Sequence, residues 1–209
     1  MNVNRRQILI SGLFLWLFAV VGTGLVALTE YGARDAVIEN ERQVLLRNLH
    51  ALLPADRIDN DIAADTLPLP PDELLGTAET SIVYRARLGK EPVAAIFSPI
   101  APNGYSGRIH LLVGIYVDGR IAGVRVVKHA ETPGLGDAVE TRKSSWITGF
   151  DGKSLQNPHA GGWRVKRDGG EFDQFTGATI TPRAVVAAVH NTLMYYRQNA
   201  DMIFAENES

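Results

Sequence analysis

Residues 107–128 read Gly-Arg-Ile-His-Leu-Leu-Val-Gly-Ile-Tyr-Val-Asp-Gly-Arg-Ile-Ala-Gly-Val-Arg-Val-Val-Lys. Asp118-Gly119 sits between two runs rich in branched and aromatic residues, and a two-residue Asp-Gly turn is a strong hairpin signal because it supplies the positive φ that such turns need. The stretch predicts strands over Gly107–Val117 and Arg120–Lys128. In the second strand Ala122, Val124 and Val126 alternate with Ile121, Gly123, Arg125 and Val127, so one face is almost wholly apolar and is expected to pack on helices. Upstream, the Gly89-Lys90 turn separates two further predicted strands, Thr80–Leu88 and Pro92–Ser98. Downstream, Ala138–Phe150 is amphipathic in places, and Trp163–Lys166 reads as a short strand. Thr181 followed by Pro182 reads as an N-cap and first helical residue, and Ala184, Val185, Ala188, Val189, Thr192 and Leu193 then fall on one face of a helix reaching Arg197. Strands first and a closing helix predict an α+β domain, an antiparallel sheet packed by helices.

The chain begins differently. Gln7–Thr29 carries no charge and is dominated by Leu, Phe, Val and Ile with Trp16. As a helix it spans about 35 Å, enough to cross the hydrocarbon core. Arg5 and Arg6 precede it and Glu30 follows, which predicts a cytoplasmic N-terminus with the rest of the chain on the far side. The competing reading is a cleaved signal peptide, but the apolar run is long for one and Gly32-Ala33 is a poor cleavage site. Tyr31–Leu53 continues with helical periodicity through Val37, Val44, Leu45, Leu49 and Leu52 until Pro54, and Ala55–Glu73, rich in Asp and Pro, is expected as an extended surface connection. The organisation predicted is a cytoplasmic N-terminus and transmembrane helix over 1–30, a helical stalk and linker over 31–75, and the folded domain over 76–209.

Net charge is −2 over 209 residues, which shows no preference for nucleic acid. The chain has no cysteine, which excludes disulfides, cysteine-ligated iron–sulfur clusters and thioether-linked haem. The five histidines are scattered without ligand spacing, so no metal site is expected.

Two segments have the composition of a binding site. In Asp173–Pro182, Gly177-Ala178 lies between the hydroxyls of Thr176 and Thr179 and runs straight into a helix start. An anion ahead of that helix would meet unpaired N–H groups and the positive dipole end, so the place suits a phosphate, and Thr179 could carry one covalently. Taken alone, an ordinary capped helix explains the same residues. In Thr132–Gly136, Pro133 stiffens the loop while Gly134 and Gly136 permit positive φ and close approach, with Leu135 offering an apolar surface. His129 and Glu131 share a face, which leaves open an acid/base pair or a histidine that satisfies its own backbone.

The segments Asp173–Pro182 and His129–Asp137 resemble, in the same order, the two signatures of FMN-binding domains, the family of the G subunit of Rnf (Rsx) electron-transport complexes and the C subunit of sodium-translocating NADH:quinone reductase. The short region between apolar helix and domain favours the Rnf branch. The resemblance implies FMN joined by its phosphate to Thr179, with Gly177 and Ala178 in the motif and Thr176 and Thr181 as neighbouring donors. It implies that Glu131, Thr132, Gly134 and Leu135 line the isoalloxazine. It also implies a separate flavin transferase that uses FAD and releases AMP, for which Asp173 would belong to the recognised segment. Lys166 keeps two readings: a charge beside the electron-rich end of the flavin, or a solvated surface lysine. The function implied is electron relay within a bacterial inner-membrane complex that couples transfer between ferredoxin and NAD(H) to ion movement, the domain facing the periplasm and other subunits supplying the remaining centres. An anchored binding or scaffold domain and a flavin reductase acting alone are the alternatives.

Overall fold

The computed structural model describes residues Arg5–Ala205, so the terminus expected ahead of Arg5 lies outside the described residues. The chain divides into two units, 1–44 and 45–209. Helix α1 (Arg5–His50) supplies the described part of the first. Its segment Arg6–Arg34 has a mean hydropathy of 2.2 and no residue buried within the protein, and 29 residues of helix rise about 43 Å, more than a bilayer core requires. Length and composition suit a single-pass membrane anchor.

The second unit is built on a six-stranded antiparallel sheet: β1 (Thr66–Leu69), β2 (Ser81–Leu88), β3 (Glu91–Phe97), β4 (Ile100–Gly104), β5 (Gly107–Tyr116) and β6 (Ile121–Lys128). β5 is central. One edge pairs with β3 and then β4, the other with β6. Tyr116 and Arg120 close the β5–β6 hairpin around Gly119, whose φ is +83°, the conformation that the Asp-Gly signal predicted.

Two strands lie outside the expected set. β1 falls within the stretch expected as a surface connection; it is an edge strand, so Pro68 withholds no needed ladder donor. β4, with Pro102 inside it, exists because β5 extends beyond the end of β3 and offers it a ladder. Trp163–Lys166 makes only an isolated bridge, Val165 to Phe172, and Ala138–Phe150 holds 3-10 turns rather than an α-helix.

Helix α2 (Ile180–Phe204) covers one face of the sheet. There Val185, Val189, Leu193 and Tyr196 meet Phe97, Ile109, Leu111, Val113 and Val124 in the larger core. Leu49, Leu52, Leu53, Ile58 and Ile62 cover the other face, against Ala86, Ala94, Ile96 and Leu112. The apolar face expected for β6 is modified by a bulge, since the register shifts between Gly114 and Ile115. As a result Ile121, Val124 and Val126 face α2, whereas Ala122 packs in the second core and a Cβ on Gly123 would meet Leu52.

Candidate functional site

β6 hands the chain to the 129–137 loop, which is built from its own polar groups. The Glu131 N–H donates to His129 Nδ1 at 3.0 Å, so Nε2 is the protonated nitrogen and donates to Glu140 Oε1 at 2.9 Å. Glu140 is held below the usual carboxylate range, first by Arg142 and then by His129. His129 therefore serves the loop backbone, and its ring does not meet the Glu131 carboxylate.

The carbonyl of Thr132 accepts from the N–H groups of Leu135 at 3.2 Å and Gly136 at 3.0 Å. Gly134 has φ +78° and donates its N–H to Asp137 Oδ1 at 2.8 Å, so the loop doubles back tightly and pushes Leu135 outward. Gly136 is required for space rather than for φ, since a Cβ there would lie 2.9 Å from Thr181 Oγ1 and 3.0 Å from the Glu131 carboxylate.

The second segment closes on the first. Ala178 N–H donates to the Phe175 carbonyl at 3.1 Å across a turn in which Gly177 has φ +80°. Trp146 fixes the approach to this turn: its indole N–H donates to the Asp173 carbonyl at 2.8 Å and its ring meets Phe175 edge-on at 5.1 Å. α2 then starts at Ile180 with Thr179 at the N-cap, two residues earlier than Thr181-Pro182 predicts. Thr181, expected as the cap, is instead inside the first turn and fully buried, donating its hydroxyl to Glu131. Pro182 still costs nothing, because first-turn N–H groups have no intrahelical acceptor. The shift leaves the Thr179 hydroxyl half-buried and without a capping hydrogen bond.

A cavity of about 260 Å³ lies between the two segments. Glu131, Gly136 and Thr181 form one part of its lining; Thr132, Leu135, Gly177, Ala178 and Thr179 form another. Sequence reasoning singled out all of these, Gly136 for its φ rather than for the space it leaves, and it missed Tyr105 and Ile180, whose exposed side chains complete the lining. Tyr105 belongs to the β4–β5 turn, which has no local signal because β4 itself has none. Thr176, Gly134 and Lys166 do not line the cavity: Thr176 and Gly134 shape the turn and loop beside it, and Lys166 Nζ is 2.7 Å from Asp173 Oδ1.

A sequence model of the FMN-binding domain matches residues 104–194, the part that contains this cavity, and one of the RnfG N-terminal region matches residues 1–52. The G subunit of the ion-translocating oxidoreductase complex of Pseudoalteromonas atlantica is 48% identical over 95% of this chain and 93% of its own length. The chain belongs to the family of G subunits of ion-translocating oxidoreductase complexes. Other members of the family include that of Pseudomonas aeruginosa, 49% identical over 99% of this chain and 96% of its own, and that of Shewanella oneidensis, 45% identical over 94% and 92%. A crystal structure of Shewanella oneidensis NqrC superimposes with a TM-score of 0.48 at 22% identity, covering 71% of this chain and 76% of that one.

The residues present fit the flavin that the family implies. The cavity is slightly smaller than the usual range of about 300–1,000 Å³ for ligand pockets, as suits a planar ring held at a surface rather than engulfed. Gly136 and Gly177 keep Cβ atoms off its walls, Leu135, Tyr105 and Ile180 offer apolar faces, and the opening of α2 offers N–H groups to a phosphate.

Proposed function

We propose that the chain carries FMN as a phosphoester on Thr179 and relays electrons within an ion-translocating oxidoreductase complex. The observation that carries this reading is the Thr179 hydroxyl: half-buried, not used for capping, at the start of a 25-residue helix and in the wall of the cavity. A threonine hydroxyl is a weak nucleophile, so attachment belongs to a separate transferase. Thr179 Oγ loses its proton and forms the new bond to phosphorus, FMN comes from FAD, and AMP leaves. Bound FMN supplies one- and two-electron carriage.

The chain's own residues have distinct tasks in this reading. The first turn of α2 opposes the phosphate charge, Leu135 and Tyr105 shield the ring, and the Glu131–Thr181 bond fixes the loop against the helix. Thr132 and the backbone of Gly177 and Ala178 set its depth, while Thr176 and Gly134 hold the turn and the loop. Lys166 acts through Asp173, ahead of the turn. Arg6–Arg34 is the anchor in the inner membrane, with the domain on the periplasmic side and the other subunits as electron partners. A tether keeps the flavin from diffusing away where free FMN is scarce.

Intact mass of protein purified from its own membrane tests the reading: a gain of one FMN less water, on the peptide containing Thr179, with a yellow fluorescent band that survives SDS. Thr179→Val abolishes both. Native protein with a bare Thr179, or label retained in the variant, overturns it.

A further inference from the structure

A second cavity, also about 260 Å³, shares no lining residue with the first. It lies on the sheet face covered elsewhere by the second core. Leu112 on β5 is inside that core, whereas His110, two residues earlier and so on the same face, lies past its edge. Register brings the cavity's walls together: the pairing of Tyr84 with Ile96, carried two residues further, sets Ile82 near the start of β2 against Ser98 after β3, and Ile100 pairs with His110.

Three basic side chains share this face. Arg108 is two residues from His110 along β5, and Lys128 is its direct partner across β6. Like charges placed opposite one another are destabilising. Among the described residues no carboxylate forms an ion pair with Arg108 or Lys128, and the cavity's one acid, Glu79, is exposed. His110 is held below the ordinary imidazole range, first by burial and then by the charges of Lys128 and Arg108. Ser98, the residue after Phe97 of the larger core, and Thr80 add hydroxyls to the lining on the His110 side.

We propose that this cavity binds a phosphoryl group, held by Arg108, His110 and Ser98 with Lys128 adding charge. A guanidinium fork, an imidazole and the hydroxyls of Ser98 and Thr80 offer more donors than the two oxygens of a carboxylate can use, and suit a tetrahedral anion. The phosphoryl group comes from free phosphate or from a phospholipid head.

Histidine-labelled full chain, in zwitterionic nanodiscs, is titrated with inorganic phosphate at constant ionic strength, and the His110 ring signal (assigned as the one lost in His110→Gln) is followed. A saturable shift with an upward move of its titration midpoint is expected. Ser98→Ala weakens binding severalfold and Arg108→Gln by roughly tenfold or more, as loss of a charge-assisted bond implies. Both variants retain the circular dichroism and melting behaviour of the parent. A parallel sample in nanodiscs containing phosphatidic acid, without added phosphate, identifies the source: a shift there assigns a lipid head, and a shift with free phosphate alone assigns a soluble one. No saturable change in either, or an undiminished one in Arg108→Gln, overturns the proposal.

Discussion

The Thr181 hydroxyl donates to the carboxylate of Glu131, 50 residues away, and both side chains are buried. This bond joins the first turn of α2 to the loop after β6, while the other Glu131 oxygen accepts from the Ser106 N–H at 3.0 Å and so draws in the β4–β5 turn. Three chain segments that are remote in sequence meet at one carboxylate 4% exposed.

Thr181→Val leaves that buried carboxylate with one donor fewer, which costs about 1–3 kcal/mol. Thr181→Ser keeps the bond and lies near the parent. In Glu131→Gln the Thr181→Val change costs less, and thermal melts of the four proteins measure the coupling; strictly additive losses would show that the two side chains act independently.

Gly136→Ala drives a methyl group against Thr181 and Glu131, and overpacking of this kind costs about 1–3 kcal/mol. The neighbours shift into the cavity, so the fraction of chains carrying flavin by intact mass falls along with the melting temperature. An unchanged flavin fraction would mean that this floor does not define the ring's seat.

His190 stacks on Trp163 at 5.3 Å and is held below the ordinary imidazole range, mainly by burial and then by Arg197. The unfolded chain, titrating near pH 6.5, takes the proton first, so this contribution to stability is complete above about that pH and is lost as pH falls below it. His110 has the same sign and adds to the loss. His190→Gln removes one share: the difference in urea midpoint between pH 7.5 and 5.5 is smaller than in the parent. An equal difference in both proteins would refute the assignment.

Leu49 is wholly buried in the second core, remote from the cavity lining. Leu49→Ala lowers stability by about 2–5 kcal/mol, read by denaturant unfolding. Flavin content stays at the parent level, in contrast to Gly136→Ala.

Much of the fold was legible because its signals are local. The β5–β6 hairpin rests on Asp118-Gly119, and the two segments around the first cavity on their glycines and hydroxyls. What escaped is imposed from a distance. β1 and β4 contain proline and form because β2 and β5 present open edges to them. The bulge that sends Ala122 to the far face has no sequence mark beyond two opposed glycines, Gly114 and Gly123. Thr181-Pro182 imitates a cap because local chemistry cannot reveal that a carboxylate 50 residues earlier claims the hydroxyl.

The leucines at the close of α1 and just beyond it have a practical consequence for any trimmed version of the protein. Leu45, Leu46, Leu49, Leu52 and Leu53 shelter one side of the sheet, so they belong to the folded body rather than to a dispensable tether. A water-soluble fragment begun before Leu45 keeps its roof, whereas one begun after Leu53 bares Ala94, Ile96 and Leu112 and clumps.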